Sequence, residues 1–386
     1  MAKPYFSIAA ILAIFITLIT PFAFAGDCMR LCEQDFMQNA TAQDIRDEIN
    51  RGADVRGRTE DGTTPLHSAA RFGSIETVAF LLRHGAQIEA RMKSGATALH
   101  AAAYEGNIKT VSSLLDAGAD IEAKTANGFT PLHYATEKGN IQSIRILLKN
   151  RANTDAQTYD TRATPLHIIA QKNSAEIGRI LLESGANSEL RDRVENTPLH
   201  AAALRGNNET VGILIEAGAV IDARNENGLT PLHLGASKGN AETVTILIKA
   251  GADIEVRNNS DFTPLHGAII FGNYDGVIAL LKAGADERAR YDNITPLHIS
   301  VRFGNTSITR ALIDAGSNLE AKTGLDNTPL HFAVLKGHAD TVITLLEAGA
   351  NGKARNSEGL TPYDLARDNS KLIGTDALQM LNDARY

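Results

Sequence analysis

Tryptophan is missing from this 386-residue chain, and aromatic residues together make up only 5% of it. A core built on large rings is excluded. Ala, Leu and Ile must fill it, which suits helices whose backbones approach closely. Cysteine occurs only as Cys28 and Cys32, so no disulfide framework holds the body of the chain. A basic surplus is absent too. Net charge is −7, and beyond residue 25 it is −8, from 37 basic and 45 acidic residues. That balance favours solubility and argues against a nucleic-acid footprint. The sequence carries no H-E-x-x-H pair, no Walker loop, no G-x-S-x-G elbow and no clustered dyad. Neither an enzyme nor a cofactor is expected.

The one long apolar run comes first. Lys3 precedes the run 8–19, Pro21 breaks any helix, and Ala23-Phe24-Ala25 stands before Gly26. This is the layout of a secretory signal peptide at 1–25, with a mature start at Gly26. An uncleaved inner-membrane anchor is the alternative, since residues 5–25 are long enough to span with tilt. Pro21 and the small residues before Gly26 favour cleavage, so no membrane span is expected in the mature form. Cys28 and Cys32 follow at once, and in an oxidising compartment such a pair is expected to close a disulfide. On one helical turn their Cα atoms would lie roughly 6 Å apart, toward the upper end of the permitted range. Free or intermolecular thiols are the next reading. A metal is the weakest, because no nearby His completes a ligand set. Residues 26–41 otherwise read as a short amphipathic extension.

What the chain has in abundance is repetition. Thr64-Pro65-Leu66-His67 returns at Thr130, Thr164, Thr197, Thr230, Thr263, Thr295 and Thr328, with a degenerate copy at Thr97-Ala98-Leu99-His100. The resulting histidines, His67, His100, His133, His167, His200, His233, His266, His298 and His331, are 32 to 34 residues apart. Such a period marks one supersecondary unit repeated in series. In the unit 61–94, Asp61-Gly62 is a turn, Thr64 an N-cap and Pro65 the first helical residue. Gly73 is expected to end this helix in a left-handed cap. Ile75, Val78, Leu81 and Leu82 mark the stripe of a second helix, ended the same way by Gly85, and residues 86–91 are an extended arm. A unit this small cannot bury enough surface alone, so stacking must supply the core.

The pattern resembles the ankyrin repeat, a turn plus two helices carrying Thr-Pro-Leu-His-x-Ala, from about Thr41 to Tyr386. The resemblance implies an all-α solenoid of stacked helix-turn-helix units, with projecting hairpin fingers and a concave groove. It assigns 42–60 to an N-terminal capping half-repeat, 61–358 to nine repeats and 359–386 to a C-terminal capping repeat, where Thr361-Pro362-Tyr363-Asp364 lacks the His. It also makes the nine histidines structural, each imidazole bonding back to the turn backbone and tying adjacent repeats. Histidines spread along a row cannot converge on a metal. Departures cluster mid-chain: Arg151 stands where Gly is usual, the finger 159–163 is one residue long, Asn173 replaces a Gly, and the finger 290–294 is one residue short. The block 151–162 is expected to be a weak joint, a change of curvature, or drift without purpose.

Two surfaces remain for recognition. Along the finger column, basic residues such as Arg91, Arg191 and Arg257 follow acids such as Glu89, Glu189 and Glu255 by two positions. On an extended arm both point one way, giving either an anion track or a self-compensated surface ladder. At the exposed end of the first helices, Phe72 and Tyr104 make a small apolar group, and Ile270, Phe271, Arg302, Phe303 and Leu335 a larger one that Tyr291 would extend. Aromatics and Arg in a concavity are interface anchors. The expectation is a monomeric, non-catalytic protein-binding module, periplasmic or secreted, without nucleic-acid partners. The alternatives are an inhibitor or immunity protein for an envelope enzyme, and an exported effector acting on a host protein.

Overall fold

A computed structural model describes residues 28–384; the signal peptide read at 1–25 lies outside the described residues. Every named element among them is helical, and the only extended pairing is the bridge between Tyr291 and Ile294. Thr64 caps the helix Pro65–Phe72, and its backbone N–H donates to His67 Nδ1. Ile75–Arg83 is the second helix, with Ser74 Oγ accepting from the Thr77 N–H. Val78 and Leu81 are fully buried, whereas Ile75 and Leu82 lie outside the closed part of the stripe. Gly73 departs from expectation. Its φ of −86° and ψ of 179° are extended, not left-handed. Space holds this glycine: a Cβ would sit 2.9 Å from the Ala69 carbonyl oxygen. The left-handed cap appears instead at Gly139, Gly206, Gly304 and Gly337.

The chain divides into two compact units: residues 28–102 with Asn107–Asp120, and Ala103–Gly106 with residues 121–384. The division does not fall in the block 151–162. In the first unit, residues read as an extension are part of the packed end. The 3-10 turn Met29–Cys32 and the helix Gln34–Asn39 pack on Pro65–Phe72, while Ala42–Asn50 packs on Ile75–Arg83. Residues 28–39 thus supply a first-helix counterpart to the half-repeat at 42–60, with Leu31 and Met37 fully buried. Cys28 and Cys32 are disulfide-bonded across the 3-10 turn, their Cα atoms 5.7 Å apart. In the second unit, first helices from Pro131–Lys138 to Pro362–Ala366 pack in series. Second helices do the same from Ala175–Glu183 to Asp376–Asp383. Each fully buried Leu or Ile in these stacks, such as Leu132, Ile144 and Leu147, contributes about 1.5–3 kcal/mol.

Within the units, three sets of side chains join neighbouring repeats. The first is the histidine row. The backbone N–H of Thr130 donates to His133 Nδ1 at 3.1 Å, while His133 Nε2 meets the Ala163 carbonyl oxygen at 3.2 Å. A backbone N–H can only donate and a carbonyl can only accept. The ring is therefore the neutral tautomer with its proton on Nε2. The same pair of bonds holds His67 to Ala96, His167 to Asn196, His200 to Leu229, His233 to Phe262, His298 to Asn327 and His331 to Leu360. In the C-terminal cap Asp364 takes the place of His and accepts from the Thr361 N–H and hydroxyl.

The second set lies in the fingers. Arg58, Arg191, Arg257 and Arg290 donate to the carbonyls of Arg91, Arg224, Arg290 and Lys322. Glu122, Glu189, Glu255 and Glu320 accept from the backbone N–H groups of Asn153, Val220, Asp286 and Asn351. These acids and bases bond to the neighbouring backbone, so the ladder expected between them is replaced by inter-repeat ties. The third set escapes the sequence reading. Asn107, Asn140, Asn207, Asn240 and Asn369 donate to carbonyls at the end of the first helix of the preceding repeat, on Gly73, Ala103, Ala170, Ala203 and Val334.

Three of the irregular positions keep a left-handed backbone and change the side chain. Arg151, Arg162 and Asn173 adopt φ of 66°, 55° and 56°. The short finger closes as a two-residue turn, with Asp292 and Asn293 at φ 47° and 60° between Tyr291 and Ile294. His266 accordingly bonds to Ala289, at 3.1 Å.

Replacing Arg151 by Gly relieves a left-handed non-glycine residue. Arg151→Gly should stabilise the protein by about 1 kcal/mol, read as a higher urea midpoint at unchanged slope. A lower midpoint would show that the Arg151 side chain contributes more than its backbone strain costs.

Acid should act on the histidine row. Burial pushes His67, His133, His200, His233, His266 and His298 down to about 4. Their unfolded value is about 6.5, so the unfolded chain binds more protons between the two. The stability they contribute is present above pH 6.5 and falls as the pH drops toward 4. Thermal midpoints should decline already between pH 6.5 and 5, above the carboxylate range, with proton uptake on unfolding. A flat profile in that window would contradict the burial of neutral imidazoles.

Candidate functional site

With both ring nitrogens of the bridging histidines engaged, the most repeated polar group of the chain is used internally. Recognition must come from positions that the repeat leaves variable. The eighth residue after each capping Thr is one such position. It closes the first helix, where the turn to the second helix holds the backbone but leaves the side chain outside the stack. In the second unit it reads Lys138, Lys172, Arg205, Lys238, Phe271, Phe303 and Lys336.

Phe271 and Phe303 are 66% and 55% exposed, and Leu335, one position earlier in the next repeat, is 50% exposed. Three large apolar side chains on consecutive repeats make a patch rather than scattered exposure. Ile270 beside Phe271 is half-buried, and Arg302 beside Phe303 is exposed while its carbonyl oxygen faces His338 Nε2 at 3.3 Å. Tyr291 is less available than its place in a finger suggests: it is half-buried, with its ring 4.1 Å from that of Phe262. Next to this finger lies an open hollow of about 270 Å³, lined by Asp292, Ile294, Gly324, Leu325 and Phe332 among others. Leu325 is 64% exposed at its rim. Nothing in the repeat pattern singles out Leu325, because it lies in a finger whose glycine is shifted by two positions, with Asp326 in the left-handed place that glycine usually takes.

The smaller group separates. Phe72, in the first unit, is half-buried under the Arg71 guanidinium, 4.8 Å from its ring. Tyr104, in the second, packs edge-on against Tyr134 at 6.0 Å and lies under the Lys138 ammonium at 4.9 Å. Burial, with the Tyr104 hydroxyl adding to it, raises the pKa of Tyr134. These two residues are absorbed in local packing, whereas Phe271, Phe303 and Leu335 are not.

Comparison with known proteins bears on this arrangement. Models of ankyrin repeats in three copies match residues 36–125, 92–158, 154–225 and 199–291. A model of many ankyrin copies matches 312–366, and a single-repeat model matches 292–324. No curated protein sequence matches the chain. Among solved structures, the human ASB11 ankyrin repeat domain is similar, with a TM-score of 0.51 at 26% identity, over 57% of this chain and 98% of that one. So is the ankyrin repeat domain of Bcl-3, described as a unique member of the IkappaB protein family. It has a TM-score of 0.51 at 27% identity, over 57% of this chain and 98% of that one. Repeats of this kind are protein–protein interaction modules, and the fold is generally a non-catalytic scaffold. Matched over most of its length and built of the same helix pairs, the chain belongs to the ankyrin repeat family.

Proposed function

We propose that this protein is an exported, non-catalytic binding module that holds a protein partner on the exposed ends of its first helices. The observation that carries the reading is the row Phe271, Phe303 and Leu335, exposed at 66%, 55% and 50% on consecutive repeats. Each large ring or branched chain left in water forfeits a favourable transfer of about 1.5–3 kcal/mol, which a partner can recover by covering it. Bonding of side chains to neighbouring backbones stiffens the stack beneath, so little ordering accompanies binding. Export is supported by the residues themselves: Lys3, the apolar run, Pro21 and Ala23-Phe24-Ala25, followed by a cysteine pair. The compartment proposed is a bacterial periplasm or the space beyond it.

Two experiments test the two halves of this reading. Intact-mass measurement of the exported protein should give a chain starting at Gly26; a mass retaining residues 1–25 would replace secretion by anchoring. Crosslinking in cells should capture a protein with the natural chain and lose at least nine-tenths of it with Phe271→Ala/Phe303→Ala, at unchanged circular dichroism. Equal capture by the variant would remove this row from the interface.

A further inference from the structure

The position that carries Phe271 and Phe303 carries something else in the four repeats before them. Lys138, Lys172, Arg205 and Lys238 occupy it in succession, and each reaches solvent. Lys138 and Lys172 close the helices Pro131–Lys138 and Pro165–Lys172; Arg205 closes Pro198–Arg205, and Lys238 is the cap of Pro231–Ser237. One register position therefore gives a cationic run that turns apolar between Lys238 and Phe271 and returns to a cation at Lys336.

Their neighbours differ along the run. Lys172 is paired with Glu137 at 2.6 Å, and Lys138 lies over the Tyr104 ring. Among the described residues, the side chains of Arg205 and Lys238 have no ion pair and no hydrogen bond. The simplest account of a cation here is the negative end of the helix dipole. That account does not explain the switch, because Phe271 and Phe303 sit at the same end of equivalent helices. Nor does a polyanion fit: the chain carries a net charge of −7, and two exposed rings separate the run from the next cation of the column, Lys336.

Resting on the protein-binding reading above, we infer that this column docks an extended segment of its partner that is acidic at one end and apolar at the other. Carboxylates lie over Arg205 and Lys238 and, further out, over Lys138 and Lys172. Apolar side chains lie over Phe271 and Phe303. The geometry fits such a segment. Packed helices are spaced about 8–10 Å, and a polyproline-II backbone advances about 9.3 Å in three residues and returns its side chains to one face. One contact per repeat then needs one suitable side chain every third residue, and about 18 residues cover the column.

The probe is a labelled 18-residue peptide, four Glu-Pro-Ser triplets followed by two Leu-Pro-Ser triplets, with its block-reversed form to cover both chain directions. Fluorescence anisotropy at low salt should show binding by one of them, weakened about tenfold when Gln replaces Glu. Arg205→Glu/Lys238→Glu should cause a similar loss, and a Lys-for-Glu peptide should bind that variant better than the natural protein. Failure of both peptides, or indifference to the charge reversal, would overturn the inference. Tighter binding of a 20-nucleotide single strand than of either peptide would overturn it in favour of nucleic acid. Crosslinking in cells separates this from the parent reading. Partner capture lost with Phe271→Ala/Phe303→Ala but kept with Arg205→Glu/Lys238→Glu leaves protein binding standing and removes the acidic segment.

Discussion

An imidazole held at both nitrogens is the contact on which this structure depends. A lone repeat has two short helices and too little surface to bury. What makes it part of a stack is a ring that receives a backbone N–H at its own helix start and gives its proton to a carbonyl of the next finger, as His200 does to Leu229 at 2.9 Å. The bond crosses 29 residues of sequence and is largely shielded from water, so its loss would leave a donor and an acceptor unsatisfied together. Protonation breaks the arrangement from within, because a charged ring presents a donor to the Thr N–H.

The other ties act on the same principle with different chemistry. Finger arginines reach the next backbone, acids receive the backbone N–H beyond the following glycine, and asparagines donate to carbonyls at the end of a first helix. Each satisfies a group that would otherwise be buried bare or face water at a repeat boundary. Residues used in this way cannot also be recognition residues. That separates the repeated positions, which build the stack, from the variable ones, which carry Lys138 to Phe303 on its outside.

Much of this was legible in the sequence. The period, the Thr caps, Pro at the first helical position and the glycine stops each follow from a local rule, and the helices start where those rules place them. The outcome at Gly73 was not legible, because a contact with Ala69, rather than handedness, selects it. Nor was the packed role of residues 28–39, whose burial depends on the helix Pro65–Phe72, distant in sequence. The finger charges misled for a related reason: an i, i+2 pattern shows that Glu189 and Arg191 share a side, but not that each has a backbone partner nearer than the other. On the surface, the exposure of Phe271 and Phe303 could be read from their position at the end of helix one, whereas the contact of the Tyr291 ring with Phe262 required the short turn at Asp292-Asn293.

The tautomer of the histidines tests the central claim most directly. Long-range proton–nitrogen correlation spectra at pH 7 distinguish a protonated from an unprotonated ring nitrogen. The bridging histidines should all appear as the neutral form with hydrogen on Nε2 and a bare Nδ1, and His67, His133, His200, His233, His266 and His298 should stay so down to about pH 5. Rings protonated on Nδ1, or titrating near their ordinary value of about 6.5, would contradict an architecture tied together through neutral imidazoles.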